Sequence, residues 1–328
     1  MKSIGGKFPK PVVVISKCLG FDECRWNGIT LREEFVETLK PFVEYRTVCP
    51  EVEIGLGIPR DPIRVVLVGK EERLIQSSTD KDVTRKMKTY VEDFLSSVGE
   101  PDGFLLKFRS PTCGMFNVKL YPGTGKVGAM GKTRGFFGRA VLEKFGHVAI
   151  EDEGRVRNFR IREHFLTWLF TLARFREVKK NPAMKHLVRF QSNHKLLLMA
   201  YSQKALKTLG RIVANHDKKP LDELIRLYED NLCQAFSRAP RYTSSINVLM
   251  HALGYVSREL KSGEKAFFLE SLEKYRNNRV PLSVPVNLIK SWIIRFEQDY
   301  LKTQTFFEPY PEQLVEITDS GKGRKIKK

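Results

Sequence analysis

Val12-Val13-Val14-Ile15-Ser16-Lys17-Cys18 is the first strongly patterned stretch of the chain. Four consecutive β-branched residues read as a strand buried on both faces, because a half-exposed strand would alternate. The run stops at a cysteine, and the same event recurs twice. A strand over 42–48 ends at Cys49-Pro50-Glu51, and a strand over 103–108 leads into Ser110-Pro111-Thr112-Cys113-Gly114. Pro50 has no ladder donor and fixes the exit turn. Between these lie helical spacing over 31–39, a strand candidate at Ile63–Val68, and a helix over 80–98 with Thr79 or Asp80 as N-cap. Phe136–Phe145 reads as a further helix and 147–150 as a last strand. Alternating strands and helices predict a parallel sheet of βα units, with ligands beyond the carboxyl ends of the strands. Cys18, Cys49 and Cys113 then share one rim although they are distant in sequence.

After about residue 154 the period changes to helical. A helix over 160–178 carries Phe165, Trp168, Leu169, Leu172 and Phe175 on one stripe, which reads as core. Further helices are expected at about 193–213, 219–236, 244–260, 264–276 and 284–302, and no strand is evident. The predicted organisation is an α/β domain over 1–154, an all-α domain over 155–315 and a basic, disordered tail over 316–328.

Lysine and arginine exceed aspartate and glutamate by 57 to 38, a net charge of +19. The excess is uneven: residues 1–155 carry 25 basic and 21 acidic side chains, residues 156–328 carry 32 and 17. Such asymmetry points to a polyanion partner for the second half, with nucleic acid the expected one. Lys204, Lys207 and Arg211 fall on one helical face able to follow a phosphate backbone, with Lys179 and Lys180 nearby in sequence. Lys126, Lys132 and Arg134, in a glycine-rich stretch with Arg139, are further candidates for RNA contact. That stretch, Gly125 to Thr133, resembles a P-loop but has one residue too many and follows no clear strand, so no ATP site is expected. No apolar run reaches the ~20 residues of a membrane span. No leader sequence is evident, and the five cysteines are expected reduced in the cytoplasm.

Three thiolates on one rim hold zinc with an open position, or an iron–sulfur cluster with one iron lacking a protein ligand, or merely fill strand ends as small apolar residues. Their spacing matches no CxxC or ferredoxin pattern. Cys24 is an alternative ligand, and Cys233 has no assigned role. Glu51 reads either as a base for water or a proton carrier, or as a turn cap, and Ser110 either as a hydrogen-bonding or proton-relay group or as a brace for the turn at Pro111. The six histidines show no metal-binding spacing.

Five segments carry a resemblance: Ser16 to Gly20, Arg25 to Gly28, Cys49 to Glu51, Gly57 to Arg60, and Ser110 to Gly114. Together they resemble the thiouracil desulfurase family over about residues 10–150. His194-Lys195, His251 to Tyr255, Pro281 to Pro285 and Pro309 to Pro311 resemble a helical domain fused to it. The combination is similar to bacterial enzymes that remove sulfur from 4-thiouridine in tRNA. The resemblance implies a [4Fe-4S] cluster on Cys18, Cys49 and Cys113 with one iron lacking a protein ligand. It further implies Glu51 and Ser110 as catalytic groups, and a redox-neutral, ATP-independent release of sulfide. Desulfuration of a free thiouracil or thiouridine, or RNA binding around a structural metal without catalysis, are the competing functions.

Overall fold

A computed structural model describes residues 8–315 of the chain; the tail over 316–328 lies outside them. The described residues divide by contact into two units. One comprises 10–173 with 313–315, the other 8–9 with 174–312. The division falls within one long helix, so residues 155–173, which the sequence groups with the helical half, cluster with the sheet.

The first unit runs β1 (Val12–Ser16), α1 (Glu34–Leu39), β2 (Glu44–Val48), α2 (Pro50–Glu53), β3 (Ile63–Val68), β4 (Glu71–Gln76), β5 (Lys81–Asp82) and α3 (Thr84–Ser97). It continues with β6 (Gly103–Leu106), β7 (Val118–Tyr121), β8 (Gly131–Thr133), α4 (Phe136–Phe145) and β9 (Ala149–Asp152). One sheet has the order β2-β1-β6-β9, every pair parallel. β1 is central and fully buried, as its unbroken β-branched run requires. Its register is pinned from outside the ladder: Asp102 Oδ2 accepts the Val12 amide at 2.7 Å.

Ile63–Val68 is a strand but not a member of this sheet. It belongs to a second sheet, β5-β4-β3-β7-β8, in which only β3 and β7 pair in parallel. Gly69, at φ +63°, turns β3 directly back onto β4, so no crossover helix exists to make β3 parallel with β1. The glycine-rich stretch is the β7–β8 connection, a setting with no following phosphate-binding helix. Helix α3 starts at Thr84 rather than at 80, because Lys81–Asp82 pairs with β4 and Asp82 Oδ1 takes the Thr84 amide at 2.8 Å. Neither Thr79 nor Asp80 caps it.

Helix α5 (Phe159–Lys180) begins at Asn158, whose side-chain oxygen accepts the amides of Arg160 and Ile161. Phe165, Leu169, Leu172 and Phe175 are buried along it, as their spacing predicts. The second unit continues with α6 (Met184–Asn193), α7 (Lys195–Tyr201), α8 (Gln203–Ala214), α9 (Leu221–Phe236) and α10 (Tyr242–Val256). It ends with α11 (Ser262–Arg276), α12 (Ser283–Arg295) and α13 (Asp299–Lys302). Its described residues contain no strand. Helix α6 is not evident from the sequence, and the helix expected over 193–213 is two, divided at Ser202, whose hydroxyl caps α8 through the Ala205 amide. Phe175, Phe190 and Tyr228 cluster in its core, and His194 stacks on Phe190 with a centroid separation of 3.9 Å. His194 is a buried packing residue whose Nδ1 bonds the Phe190 carbonyl at 2.8 Å. No helix among the described residues is long and apolar enough to cross a membrane.

Candidate active site

β1, β2 and β6 are parallel neighbours, so the chain leaves all three at the same edge of the sheet. Cys18 follows β1 by two residues, and Cys49 follows β2 directly. Cys113 ends the turn after β6. Each arrives differently. The Cys18 carbonyl is held by the Leu31 amide at 2.8 Å and the Thr30 hydroxyl at 3.2 Å, folding the 19–30 loop back over the strand end. Cys49 precedes Pro50 at the first turn of α2, where proline's missing donor costs nothing.

The Cys113 turn is clamped by glycines. A Cβ on Gly135 would lie 2.4 Å from the Thr112 carbonyl oxygen, and one on Gly138 would lie 2.6 Å from that of Cys113. This closeness lets the Gly135 amide reach the Gly114 carbonyl at 2.7 Å and the Gly138 amide reach that of Thr112 at 3.0 Å. The start of α4 is thereby seated on the turn that carries the thiol.

A fourth thiol shares the edge. The Cys49 thiol reaches the Cys24 carbonyl at 3.7 Å, and the Cys18 and Cys49 side chains lie near enough to shift the acidity of the Cys24 thiol. Cys113 lies beside Ser16, whose hydroxyl accepts the Lys107 amide at 2.9 Å. The sulfurs affect each other's acidity. Hydrogen bonding to Cys18 pushes the Cys24 thiol up to about 11, and burial pushes Cys113 up to about 12. Cys49 is raised by its bond to Cys24 and by burial. Crowded, buried thiols resist becoming thiolates until a cation compensates them. Among the described residues no three ligating side chains converge on a point fit for a single metal ion.

Beside the sulfurs lies a polar chain. Glu51 Oε2 accepts Arg60 Nε at 3.0 Å and a second Arg60 nitrogen at 2.7 Å. The guanidinium is only 3% exposed and the carboxylate 13%. Arg60 also donates to the carbonyls of Cys24 at 3.0 Å and Gly57 at 3.1 Å, tying its own loop to the Cys24 loop and to α2. Glu51 Oε1 accepts the Thr112 hydroxyl at 2.7 Å, and Thr112 Oγ1 is 2.9 Å from Ser110 Oγ. The structure therefore gathers Cys18, Cys49, Cys113, Glu51 and Ser110. It adds Cys24, which the sequence offers as an alternative ligand, and Arg60 and Thr112, to which no role attaches in sequence. Arg60 and Thr112 lie inside segments that resemble the desulfurases, which is the only local signal either gives.

The basic candidates separate. Lys204, Lys207 and Arg211 are exposed on one face of α8. Lys179 is paired with Glu229 at 2.7 Å and Lys180 with Glu177 at 2.9 Å, which offsets much of their charge. Lys126 and Lys132 sit on the second sheet's hairpin, while Arg134 directly precedes the clamping Gly135.

A parallel α/β sheet with thiols and a buried carboxylate network beyond its strand ends defines a sulfur-lined α/β catalytic domain, here followed by a helical one. Residues 13–153 match the model of the 2-thiouracil desulfurase family, and residues 195–311 match a protein family of unknown function, DUF1722. The stretch similar to the 2-thiouracil desulfurase family thus falls in the first unit and the stretch similar to DUF1722 in the second. Uncharacterized protein YbgA of Escherichia coli (strain K12) is 27% identical over 164 residues, covering 49% of this chain and 96% of the relative. Uncharacterized protein YbbK of Bacillus subtilis (strain 168) is 26% identical over 141 residues, covering 38% and 92%. Among solved structures, the [4Fe-4S]-dependent thiouracil desulfidase TudS is 24% identical and aligns with a TM-score of 0.37, covering 45% of this chain and 93% of that one.

Proposed function

We propose that the chain removes sulfur from a thiolated uracil, with 4-thiouridine in tRNA as the substrate and uridine and sulfide as products. The observation that carries this reading is the meeting of Cys18, Cys49 and Cys113 with the Glu51–Thr112–Ser110 chain on one rim, inside a 2-thiouracil desulfurase domain. These three cysteines would hold a [4Fe-4S] cluster and leave one iron without a protein ligand. Bound there, the cluster supplies Lewis-acid affinity for a soft thiocarbonyl sulfur.

The chain's own groups do the proton work. Glu51, fixed on its far oxygen by Arg60, accepts a proton from the water that attacks the ring carbon. Ser110, whose oxygen is held by two backbone amides, donates to the departing sulfur. Thiocarbonyl plus water becomes carbonyl plus hydrogen sulfide, so neither an electron donor nor ATP is required. Reaching a base within folded tRNA requires local unstacking, and the basic face of α8 in the DUF1722 unit supports tRNA as partner. The cytoplasm, where such tRNA and reduced thiols occur, is the proposed location.

The test is anaerobic reconstitution with iron and sulfide, then incubation with 4-thiouridine-containing tRNA and, separately, with free 2-thiouracil. Loss of the thio chromophore with release of sulfide is the expected result for the tRNA. Turnover of the free base alone would reassign the substrate. A colourless protein that retains zinc and acts on neither would overturn the reading.

A further inference from the structure

We infer that Thr112 is the proton conduit between Glu51 and Ser110, a positioning residue through which the two act as one unit; this rests on the desulfurase reading. The donor count fixes its direction. Ser110 Oγ accepts the amides of Thr112 at 3.2 Å and Cys113 at 3.1 Å. Its two lone pairs are engaged, so its single proton points to Thr112 Oγ1, 2.9 Å away. Thr112 has one hydroxyl proton of its own, and the acceptor-only Glu51 carboxylate takes it at 2.7 Å. The other carboxylate oxygen is occupied by Arg60. At rest the three groups donate in sequence, Ser110 to Thr112 to Glu51, and once Ser110 has lost a proton and Glu51 has gained one the same two bonds carry protons back toward Ser110. Thr112 is fully buried, so bulk water does not offer a parallel route at its hydroxyl.

The line closes the proton balance of the reaction. As the water oxygen bonds to the ring carbon, one of its protons passes to Glu51. As the carbon–sulfur bond breaks, Ser110 turns its proton to the departing sulfur, which leaves as hydrosulfide, and the second water proton is released to solvent from the new carbonyl oxygen. Thr112 then refills Ser110, and Glu51 refills Thr112. The line returns to its starting state, and no electron is gained or lost. Without the middle hydroxyl, Glu51 would hold a proton that Ser110 cannot recover.

Three variants and two readouts test this. Thr112→Val keeps the side-chain shape and removes the hydroxyl; Thr112→Ser keeps the hydroxyl; Ser110→Ala removes the terminal donor. With matched iron and sulfide contents, Thr112→Val is expected to lower kcat on the order of 10²-fold while KM stays within about twofold. Thr112→Ser should recover most of the rate, and Thr112→Val combined with Ser110→Ala should be no slower than the worse single variant, because both break one line. In protein free of iron, the isotope-edited carboxylate stretch of Glu51 should shift in Thr112→Val and hold its position in Thr112→Ser. Wild-type kcat in Thr112→Val, or equal losses in Val and Ser, would overturn the conduit while leaving the desulfurase intact. A loaded wild-type protein that desulfurises nothing would instead remove the desulfurase reading, and the conduit with it.

Discussion

Arg60 shows how a single buried charge organises the site. Its guanidinium donates to one carboxylate and two backbone carbonyls, all in fixed directions. A lysine would supply the charge but not the fork. Removing the cation leaves Glu51 largely buried without its partner, a loss of roughly 3 kcal/mol or more. Arg60→Gln should therefore lower the melting temperature clearly, Arg60→Lys less, and Arg60→Gln with Glu51→Gln should recover part of the difference. Calorimetry on the three variants checks this. A double variant no better than Arg60→Gln would show that the loop ties to Cys24 and Gly57, not the ion pair, dominate. Cys18, Cys49 and Cys113 draw attention in sequence because each comes after a stretch that reads as a strand, β1 and β6 being mostly hydrophobic and β2 mixed. The Thr112–Glu51 bond spans 61 residues and leaves no local pattern. No periodicity reports a hydrogen bond of that reach, and only the segment resemblance draws attention to its members.

Elements are most legible in the sequence where hydrophobic or β-branched residues cluster and least where they are few. β1 and β6 are buried throughout and are legible. β4 is mostly half-exposed and glutamate-rich, β8 has three residues, and neither carries a hydrophobic signature. Helix α6 follows Asn181-Pro182, a breaker that also marks a helix start when the chain resumes. Helix α4 is the element on which the site most depends, because its first turn lies on the Cys113 loop. Gly138→Ala places a Cβ against the Cys113 and Gly114 carbonyls, whose backbone cannot yield without moving the thiol. A destabilisation of about 1–3 kcal/mol is expected, together with lower iron retention after reconstitution. Gly128→Ala, where no atom lies within 4 Å of the new methyl, is the control and should match wild type in both measurements.

At the scale of the molecule, charge and chemistry occupy different units. The asymmetry was plain from composition, because net charge needs no fold to be read. Which cations remain available for a polyanion was not, since ion pairs such as Lys179–Glu229 form only on folding. Replacing Lys204, Lys207 and Arg211 together with alanine should weaken tRNA binding and reduce the slope of log affinity against log salt by about 2–3. Turnover of a free thiolated base, if the enzyme accepts one, should stay unchanged. A salt slope identical to wild type would remove this face from the RNA-binding surface.

The order of strands has a consequence for how the protein is made. β1 is synthesised first, yet it lies between β2 and β6, and β6 appears about ninety residues later. The sheet's edge strand, β9, ends at Asp152. During vectorial synthesis, in which N-terminal domains fold as they emerge, the whole sulfur rim is available before residues 174–312 have been translated. Any group that the rim holds can thus be taken up by the nascent chain at a time when the basic helical unit does not yet exist.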